Sequence, residues 1–287
     1  ISTALSPTSG RVHRHQSLDV ASLRKLLDGC VCFASVDLLE GLKGVPLKLL
    51  AFENLLHASP AATAATLRLV LVGMIPDARP DDHQRCRREV VLLVERINAS
   101  FPRAVHFIER HSCHLRERLA LWAVTDILVV TSVREGLNLL PIEYILARQR
   151  MTPGAIVLSE FCSLARVFSG CLTCNPWSVR KVSAALQRAL QLPSEARAAR
   201  AASDLSWCLQ NTASAWAQRV LRDVAAAAKP ADAGLDGSSG LGLGLGWRRQ
   251  SKFGHGLTEG RSFSRLRDED LLSDYRRASR RLLVFDH

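Results

Sequence analysis

The fold is decided by the apolar run Asp126-Ile-Leu-Val-Val-Thr131 and the segment after it, Val133-Arg134-Glu135-Gly136-Leu137-Asn138-Leu139-Leu140-Pro141-Ile142-Glu143. The apolar run predicts a buried parallel strand, and Pro141 predicts the first turn of a helix, where a missing N–H is tolerated. The free N–H groups of such a helix start attract phosphate. Glu143, in that first turn, is better suited to accept hydrogen bonds from paired sugar hydroxyls. The alternative is that Glu143 only complements the helix dipole.

Working outward, short apolar runs alternate with longer amphipathic runs from residue 20 to residue 228. This alternation is typical of repeated βα units and predicts an α/β fold with a doubly wound parallel sheet, whose ligands bind at the carboxyl edge of the strands. The predicted strands are 29–36, 67–74, 104–108, 127–131, 155–159 and 172–175. The predicted helices are 46–57, 81–97, 115–124, 140–148, 179–190 and 194–221, the last of them broken near Asn211.

Composition divides the 287 residues into four segments. We expect residues 1–19 to be the tail of a preceding domain or disordered, and residues 20–228 to form the α/β domain. Residues 229–260 are rich in Gly and Ala and have too little side-chain volume for a core, which favours a linker. Residues 261–287 resemble the truncated start of another α/β domain. Both ends look cut, so we expect a fragment.

Composition also argues against several classes of protein. No apolar run is long enough for a transmembrane helix, and the first residues lack an apolar signal core. Eight scattered cysteines favour reduced thiols and a cytoplasmic protein. Cys171-Leu-Thr-Cys174 is a lone pair with no second pair or nearby histidines, so we expect no metal there. The net charge of +11 comes from dispersed arginines, so we expect neither a nucleic acid nor a membrane as partner.

Four further loops carry polar residues at the ends of predicted strands. Lys43 beside Gly44 suits a diphosphate, because glycine permits close backbone approach and lysine supplies a point charge. The alternative is an ordinary turn lysine in water. Arg79, in Pro76-Asp-Ala-Arg79-Pro80, could clamp an anion through two donors, although surface arginines are common. The last loops are Leu158-Ser-Glu-Phe161 and Asn175-Pro-Trp177.

Taken together, these loops resemble the trehalose-6-phosphate synthase family of retaining glucosyltransferases over roughly residues 30 to 225. The family pattern Val-Asp-Arg-Leu-Asp-Tyr-Thr-Lys-Gly corresponds to Val36-Asp-Leu-Leu-Glu-Gly-Leu-Lys43-Gly44. Its Arg-Asp-Gly-Met-Asn-Leu-Val-x-x-Glu corresponds to residues 134–143, and its Leu-Ser-Glu-Phe and Asn-Pro-Trp blocks are present unchanged. The resemblance implies the Rossmann-like, C-terminal half of a glycosyltransferase B-type fold.

The resemblance also implies roles for single residues. UDP-glucose would be the donor and glucose 6-phosphate the acceptor, with retention at the anomeric carbon and no metal or other cofactor. Lys43 would stabilise the diphosphate leaving group, and Glu135 would contact the hydroxyls of the donor glucose. Arg79 would lie near the acceptor phosphate. The other donor-binding positions are Gly44, Gly136, Asn138, Leu139 and Glu143.

Two positions depart from the family pattern. Leu38 replaces an arginine that normally adds a second cation at the diphosphate, and Glu135 is one methylene longer than the family's aspartate. A catalytically weak or inactive regulatory protein is therefore the alternative hypothesis. The acceptor domain would precede this chain, so we expect the fragment alone to be inactive.

The last residues resemble the lead-in to a phosphatase domain of the plant-like long forms. Asp286 would then be the phosphatase nucleophile, and Mg²⁺ would be needed only if an intact phosphatase domain followed.

Overall fold

The computed structural model describes residues 18–227 and Arg277. The chain divides into two units, Ile1–Pro230 and Ala231–His287, and the fold below belongs to the first. The predicted linker at 229–260, Asp286 and all of 261–287 except Arg277 lie outside the described residues. Within the described residues, no helix is long and apolar enough to cross a membrane.

Six parallel strands form one sheet in the order β3-β2-β1-β4-β5-β6. Their bounds are β1 Val31–Leu38, β2 Leu67–Met74, β3 Val105–Arg110, β4 Ile127–Val130, β5 Ala155–Ser159 and β6 Leu172–Cys174. The order reverses between β1 and β4, which is the topological switch point of a doubly wound sheet. The predicted fold class is confirmed, and every predicted strand is present with ends shifted by at most two residues.

Helices cover both faces of the sheet. They are α1 Val20–Leu26, α2 Val45–Ala58, α3 Ala61–Ala64, α4 Pro80–Ser100, α5 Leu115–Val124, α6 Leu140–Ala147, α7 Val179–Gln191, α8 Ser194–Gln210 and α9 Ala213–Ala227. The predicted break near Asn211 is confirmed, because α8 ends there. The sequence did not predict α1 or the four-residue α3.

The sheet separates two apolar layers. In β1, Phe33 packs with α2, α4 and α7 on one face, whereas Cys32, Ala34 and Val36 pack with α1, α5 and α6 on the other. This alternation follows from the two-residue period of a strand. Both faces are apolar because both are covered by helices, so the strands read as continuous hydrophobic runs.

Candidate functional site at the carboxyl edge of the sheet

The turn that carries Lys43 is held against the loop after β4. A 3-10 helix, Gly41–Lys43, follows β1 and ends at Gly44, which has a φ of 63°. A Cβ added at Gly44 would lie 2.8 Å from the carbonyl oxygen of Thr131. The carbonyl of Leu42 accepts a hydrogen bond from the N–H of Val133 at 2.9 Å. In this structure, therefore, the close approach at Gly44 is to the protein's own backbone.

Glu135 lies at the centre of the site. Lys43 Nζ donates to Glu135 Oε1, although the two residues are 92 positions apart in the chain. Glu135 Oε2 accepts from Ser132 Oγ at 2.5 Å and from Asn138 Nδ2 at 3.1 Å. The side chains of Lys43 and Glu135 are 18% and 11% exposed. The structure thus brings together the two residues predicted to serve catalysis.

This environment keeps the carboxylate of Glu135 ionised. Burial alone would raise its pKa, but the hydrogen bonds from Lys43, Ser132 and Asn138 and the charge of Lys43 outweigh burial. The net result is a pKa below the ordinary glutamate value of 4.5. Glu135 is therefore a hydrogen-bond acceptor at neutral pH, and Lys43 is its cation.

Glu143 forms a second charged pair at the start of α6. Arg118 on α5 binds it through two hydrogen bonds of 2.8 Å, from Nε and from Nη2. Both side chains are 22% exposed. A carboxylate offers about four acceptor sites, so Glu143 can still accept bonds from a ligand. It also lies where a helix dipole favours an acid.

Asn138 shapes the loop between these two carboxylates. Its Nδ2 binds Glu135, and its Oδ1 accepts from the N–H of Leu140 at 2.9 Å, at the first residue of α6. Leu137 and Leu139 on either side are 66% and 56% exposed. The predicted donor-binding positions Asn138 and Leu139 therefore lie on an accessible loop.

The loops after β5 and β6 extend this site. The carbonyl of Gly136 accepts from Ser163 Oγ at 2.8 Å, and the N–H of Glu135 donates to the carbonyl of Phe161 at 3.4 Å. Further along, Asn175 Nδ2 donates to Glu160 Oε1 at 2.6 Å. These bonds join the two family-like blocks after β5 and β6 to the Glu135 loop.

Arg79 lies apart from this cluster. It is exposed, has a φ of 58° and precedes α4. Within residues 18–227, Arg79 forms no ion pair and no hydrogen bond with Lys43 or Glu135. The start of α4 nevertheless adjoins the Lys43 turn, because the N–H of Gly41 donates to Asp82 Oδ2 at 3.1 Å.

Beneath the site lies a buried charged cluster that the sequence analysis missed. Lys48 Nζ donates to Asp37 Oδ2 at 2.5 Å and also to Ser35 Oγ. Lys48 is 1% exposed, Asp37 4% and Ser35 0%. The signal was available: Lys48 shares the apolar stripe of α2, three residues after Val45 and four before Phe52. A lysine in that stripe requires a buried acid.

Two other partners of the site were also missed. Ser132 follows the β4 strand and was not distinguished from other hydroxyl residues near strand ends. Arg118 lies on a helix with a weak apolar stripe, so its pairing with Glu143, 25 residues later, had no local signal. Both contacts depend on how the strands and helices are arranged in three dimensions.

All eight cysteines are free. Burial raises the pKa of Cys171 and of Cys174 to about 12, so neither thiol is readily ionised. Among the described residues, no group of three or more His, Cys, Asp or Glu side chains could hold a metal ion.

The fold and the loop chemistry together define a class of protein. A doubly wound sheet with lysine, glutamate and helix N-termini at its carboxyl edge is typical of α/β domains that bind nucleotides or their derivatives. The sequence profile of glycosyltransferase family 20 matches residues 10–226. The chain belongs to glycosyltransferase family 20.

Known relatives agree with this assignment. The UDP-forming alpha,alpha-trehalose-phosphate synthase 56 kDa subunit of Kluyveromyces lactis is 34% identical over 211 residues, covering 71% of this chain and 42% of that protein. The corresponding subunit of Saccharomyces cerevisiae is 37% identical over 180 residues, covering 61% and 35%. The chain therefore spans less than half the length of these curated relatives.

Solved structures show the same fold. The UDP-forming synthase of Burkholderia xenovorans in complex with glucose-6-phosphate matches with a TM-score of 0.67 and 28% identity, covering 71% of this chain and 46% of that one. An Escherichia coli structure described as bound with UDP-2-fluoro glucose matches with a TM-score of 0.66 and 27% identity, again covering 71% and 46%.

Proposed function

We propose that this chain is the nucleotide-sugar-binding half of a trehalose-phosphate synthase and that its carboxyl-edge site binds UDP-glucose. The observation that carries the proposal is the Lys43–Glu135 pair at the switch point of the sheet. The proposal is supported by the Escherichia coli relative, described as bound with UDP-2-fluoro glucose.

In this proposal, Lys43 turns from Glu135 toward the diphosphate and stabilises the charge that develops on the leaving group. Ser132 and Asn138 keep Glu135 in place while Lys43 moves, so that Glu135 can accept hydrogen bonds from the hydroxyls of the donor glucose. Glu143, oriented by Arg118, binds the ribose hydroxyls. Lys43 and backbone N–H groups near Leu139, rather than a metal, neutralise the phosphates.

The acceptor would be glucose 6-phosphate, with Arg79 near its phosphate. This part of the proposal draws on the Burkholderia xenovorans relative, which is described in complex with glucose-6-phosphate. Transfer would retain the configuration at the anomeric carbon. The acceptor domain, the linker and a phosphatase domain with Asp286 as its Mg²⁺-dependent nucleophile remain proposals about the longer protein.

Calorimetry with UDP and with UDP-glucose tests donor binding. We expect binding to this chain, and we expect Lys43→Ala to lower the affinity by about tenfold to a hundredfold through the loss of a charge-assisted contact. Lys25→Ala is the matched control, because Lys25 is an exposed lysine on α1 and its substitution removes the same charge. Absence of heat at millimolar UDP, or equal affinities for wild type and Lys43→Ala, would contradict the proposal.

The regulatory alternative is tested separately, with a longer protein that contains the acceptor domain. We expect trehalose 6-phosphate to form from UDP-glucose and glucose 6-phosphate. Binding of UDP without any turnover would support the regulatory role instead. The relatives quoted above do not favour that role, since both carry the description of UDP-forming synthases.

A further inference from the structure

A cavity of about 160 Å³ lies at the edge of the sheet opposite Lys43 and Glu135. Its walls come from the end of α6, the residues that lead into β5 and β6, and one side of α8. The cavity is therefore separate from the carboxyl-edge site. Lys43, Arg79, Glu135 and Glu143 are not among its lining residues.

Three arginines line the cavity. Arg148 is 9% exposed, and its guanidinium donates to the carbonyls of Trp122 at 3.0 Å and of Thr152 at 2.6 and 3.0 Å. The guanidinium of Arg200 donates to the carbonyl of Gly170 at 3.2 Å. Arg197 Nη2 donates to the carbonyl of Ala189 at 3.4 Å, whereas Arg197 Nε is buried without a hydrogen-bond partner.

Within residues 18–227, these three cations outnumber the acids around them. No carboxylate lies within 4.0 Å of any of their nitrogens. The cavity has one acidic lining residue, Asp204, which is 3% exposed and accepts from the N–H of Gly170 at 2.7 Å. Three positive charges thus face one negative charge. An excess of partly buried positive charge is costly, and an anion in the cavity would reduce that cost.

The rest of the lining is apolar and closely packed. Ile145, Met151, Leu192 and Leu205 are among the apolar residues that line it. A Cβ added at Gly154 would lie 1.7 Å from the hydroxyl oxygen of Tyr144, and one added at Gly170 would lie 2.2 Å from the carbonyl oxygen of Arg200. At these two glycines the walls leave no room for larger side chains.

We propose that this cavity binds a small organic anion, with a phosphate or carboxylate group on the guanidinium groups and an apolar body against Ile145 and Leu205. Guanidinium donors match the oxygen spacing of both groups. The volume suits an apolar body of benzene size, since an engineered cavity of about 150 Å³ binds benzene. This proposal does not depend on the function of the carboxyl-edge site.

Phenyl phosphate is the probe, titrated into the 287-residue chain by calorimetry. We expect it to bind more tightly than inorganic phosphate or phenol, because it alone meets both parts of the lining. The double variant Arg197→Gln/Arg200→Gln should weaken binding by about tenfold or more. The matched control is Arg188→Gln/Arg222→Gln, which removes two exposed arginines outside the cavity.

Two more variants separate the possible explanations. Ala201→Leu fills part of the cavity without changing its charge, so it should weaken phenyl phosphate and spare inorganic phosphate. Lys43→Ala should keep the wild-type affinity, which places the probe outside the donor site. A cavity holding only water would give no heat. Four results would each overturn the proposal: no heat with phenyl phosphate, equal affinities for phenyl phosphate and inorganic phosphate, equal losses of affinity in the two double arginine variants, or loss of binding in Lys43→Ala. Thermal melts check that every variant folds.

Discussion

Replacing Gly44 with alanine should destabilise the fold and weaken donor binding together. Gly44 has a φ of 63°, and a Cβ there would lie 2.8 Å from the carbonyl oxygen of Thr131 and 3.1 Å from Val133 Cγ1. The left-handed conformation costs alanine about 1–2 kcal/mol, and a forced shift in a packed region costs about 1–3 kcal/mol. The lower entropy of the unfolded chain offsets about 0.4–1 kcal/mol. We therefore expect a net loss of about 2–4 kcal/mol.

The structure offers a matched control at Gly136. This glycine lies in the same site, its φ is not in the left-handed region, and nothing lies within 4 Å of an added Cβ. Gly136→Ala should stay within about 0.5 kcal/mol of wild type. Urea unfolding followed by circular dichroism measures both variants, and calorimetry measures their affinity for UDP.

The result that would refute this reasoning is a Gly44→Ala variant as stable as Gly136→Ala. It would mean that the Lys43 turn and the loop after β4 can separate at little cost. If Gly44→Ala were destabilised but bound UDP with wild-type affinity, the turn would hold the fold together without positioning Lys43.

The remaining predictions concern the charged groups around the site. Lys48→Met should lower the free energy of unfolding in urea by about 3–5 kcal/mol, because it leaves Asp37 buried without its cation. Lys48→Met/Asp37→Leu should recover most of that loss. Equal stability of the two variants would contradict this. Glu135→Gln should lose about 1 kcal/mol at neutral pH. Since folding lowers the pKa of Glu135, its contribution to stability is present above the unfolded value of about 4.5 and disappears as pH falls through the folded pKa. The free energies of unfolding of wild type and Glu135→Gln should therefore converge in acid. A difference between them that stays constant down to pH 3 would show that the ionised carboxylate is not its source. Leu38→Arg should raise UDP affinity about tenfold by adding a second cation, and Leu38→Met, which adds no charge, should leave it unchanged in the same titration.

The sequence predicted the fold well because the relevant signals are local. Each strand is a short apolar run bounded by turn residues, and the coverage of both sheet faces makes those runs continuous. The break at Asn211 was visible in the same way. The helix α1 was missed because it has seven residues, and its N-cap Asp19 lies beside a segment with little periodicity. Strand ends shifted because hydrogen bonding, rather than hydrophobicity, determines where a strand stops.

The candidate site was predictable only in part. Residues that follow strands, such as Lys43 and Glu135, could be placed at one edge from the topology alone. Their direct pairing could not be predicted, because it depends on how closely the Lys43 turn approaches the loop after β4, where Gly44 lies against the carbonyl of Thr131. The pairing of Arg118 with Glu143 could not be predicted for the same reason, because nothing in the sequence indicates that a helix residue will face an acid on the next helix.

The two departures from the family pattern meet at the same group, Lys43. Leu38 would remove one cation from the proposed diphosphate position, and Glu135 accepts a hydrogen bond from the cation that would remain there. In the proposed function, the diphosphate would therefore compete with the carboxylate of Glu135 for Lys43, so part of the gain from the new contact would be lost in breaking the old one. Ser132 and Asn138 reduce that loss, because they continue to donate to Glu135 after Lys43 leaves. We therefore expect Lys43 to exchange its partner, from the carboxylate of Glu135 to the diphosphate, when the donor binds. In this proposal the Arg118–Glu143 pair sets the position of the nucleoside.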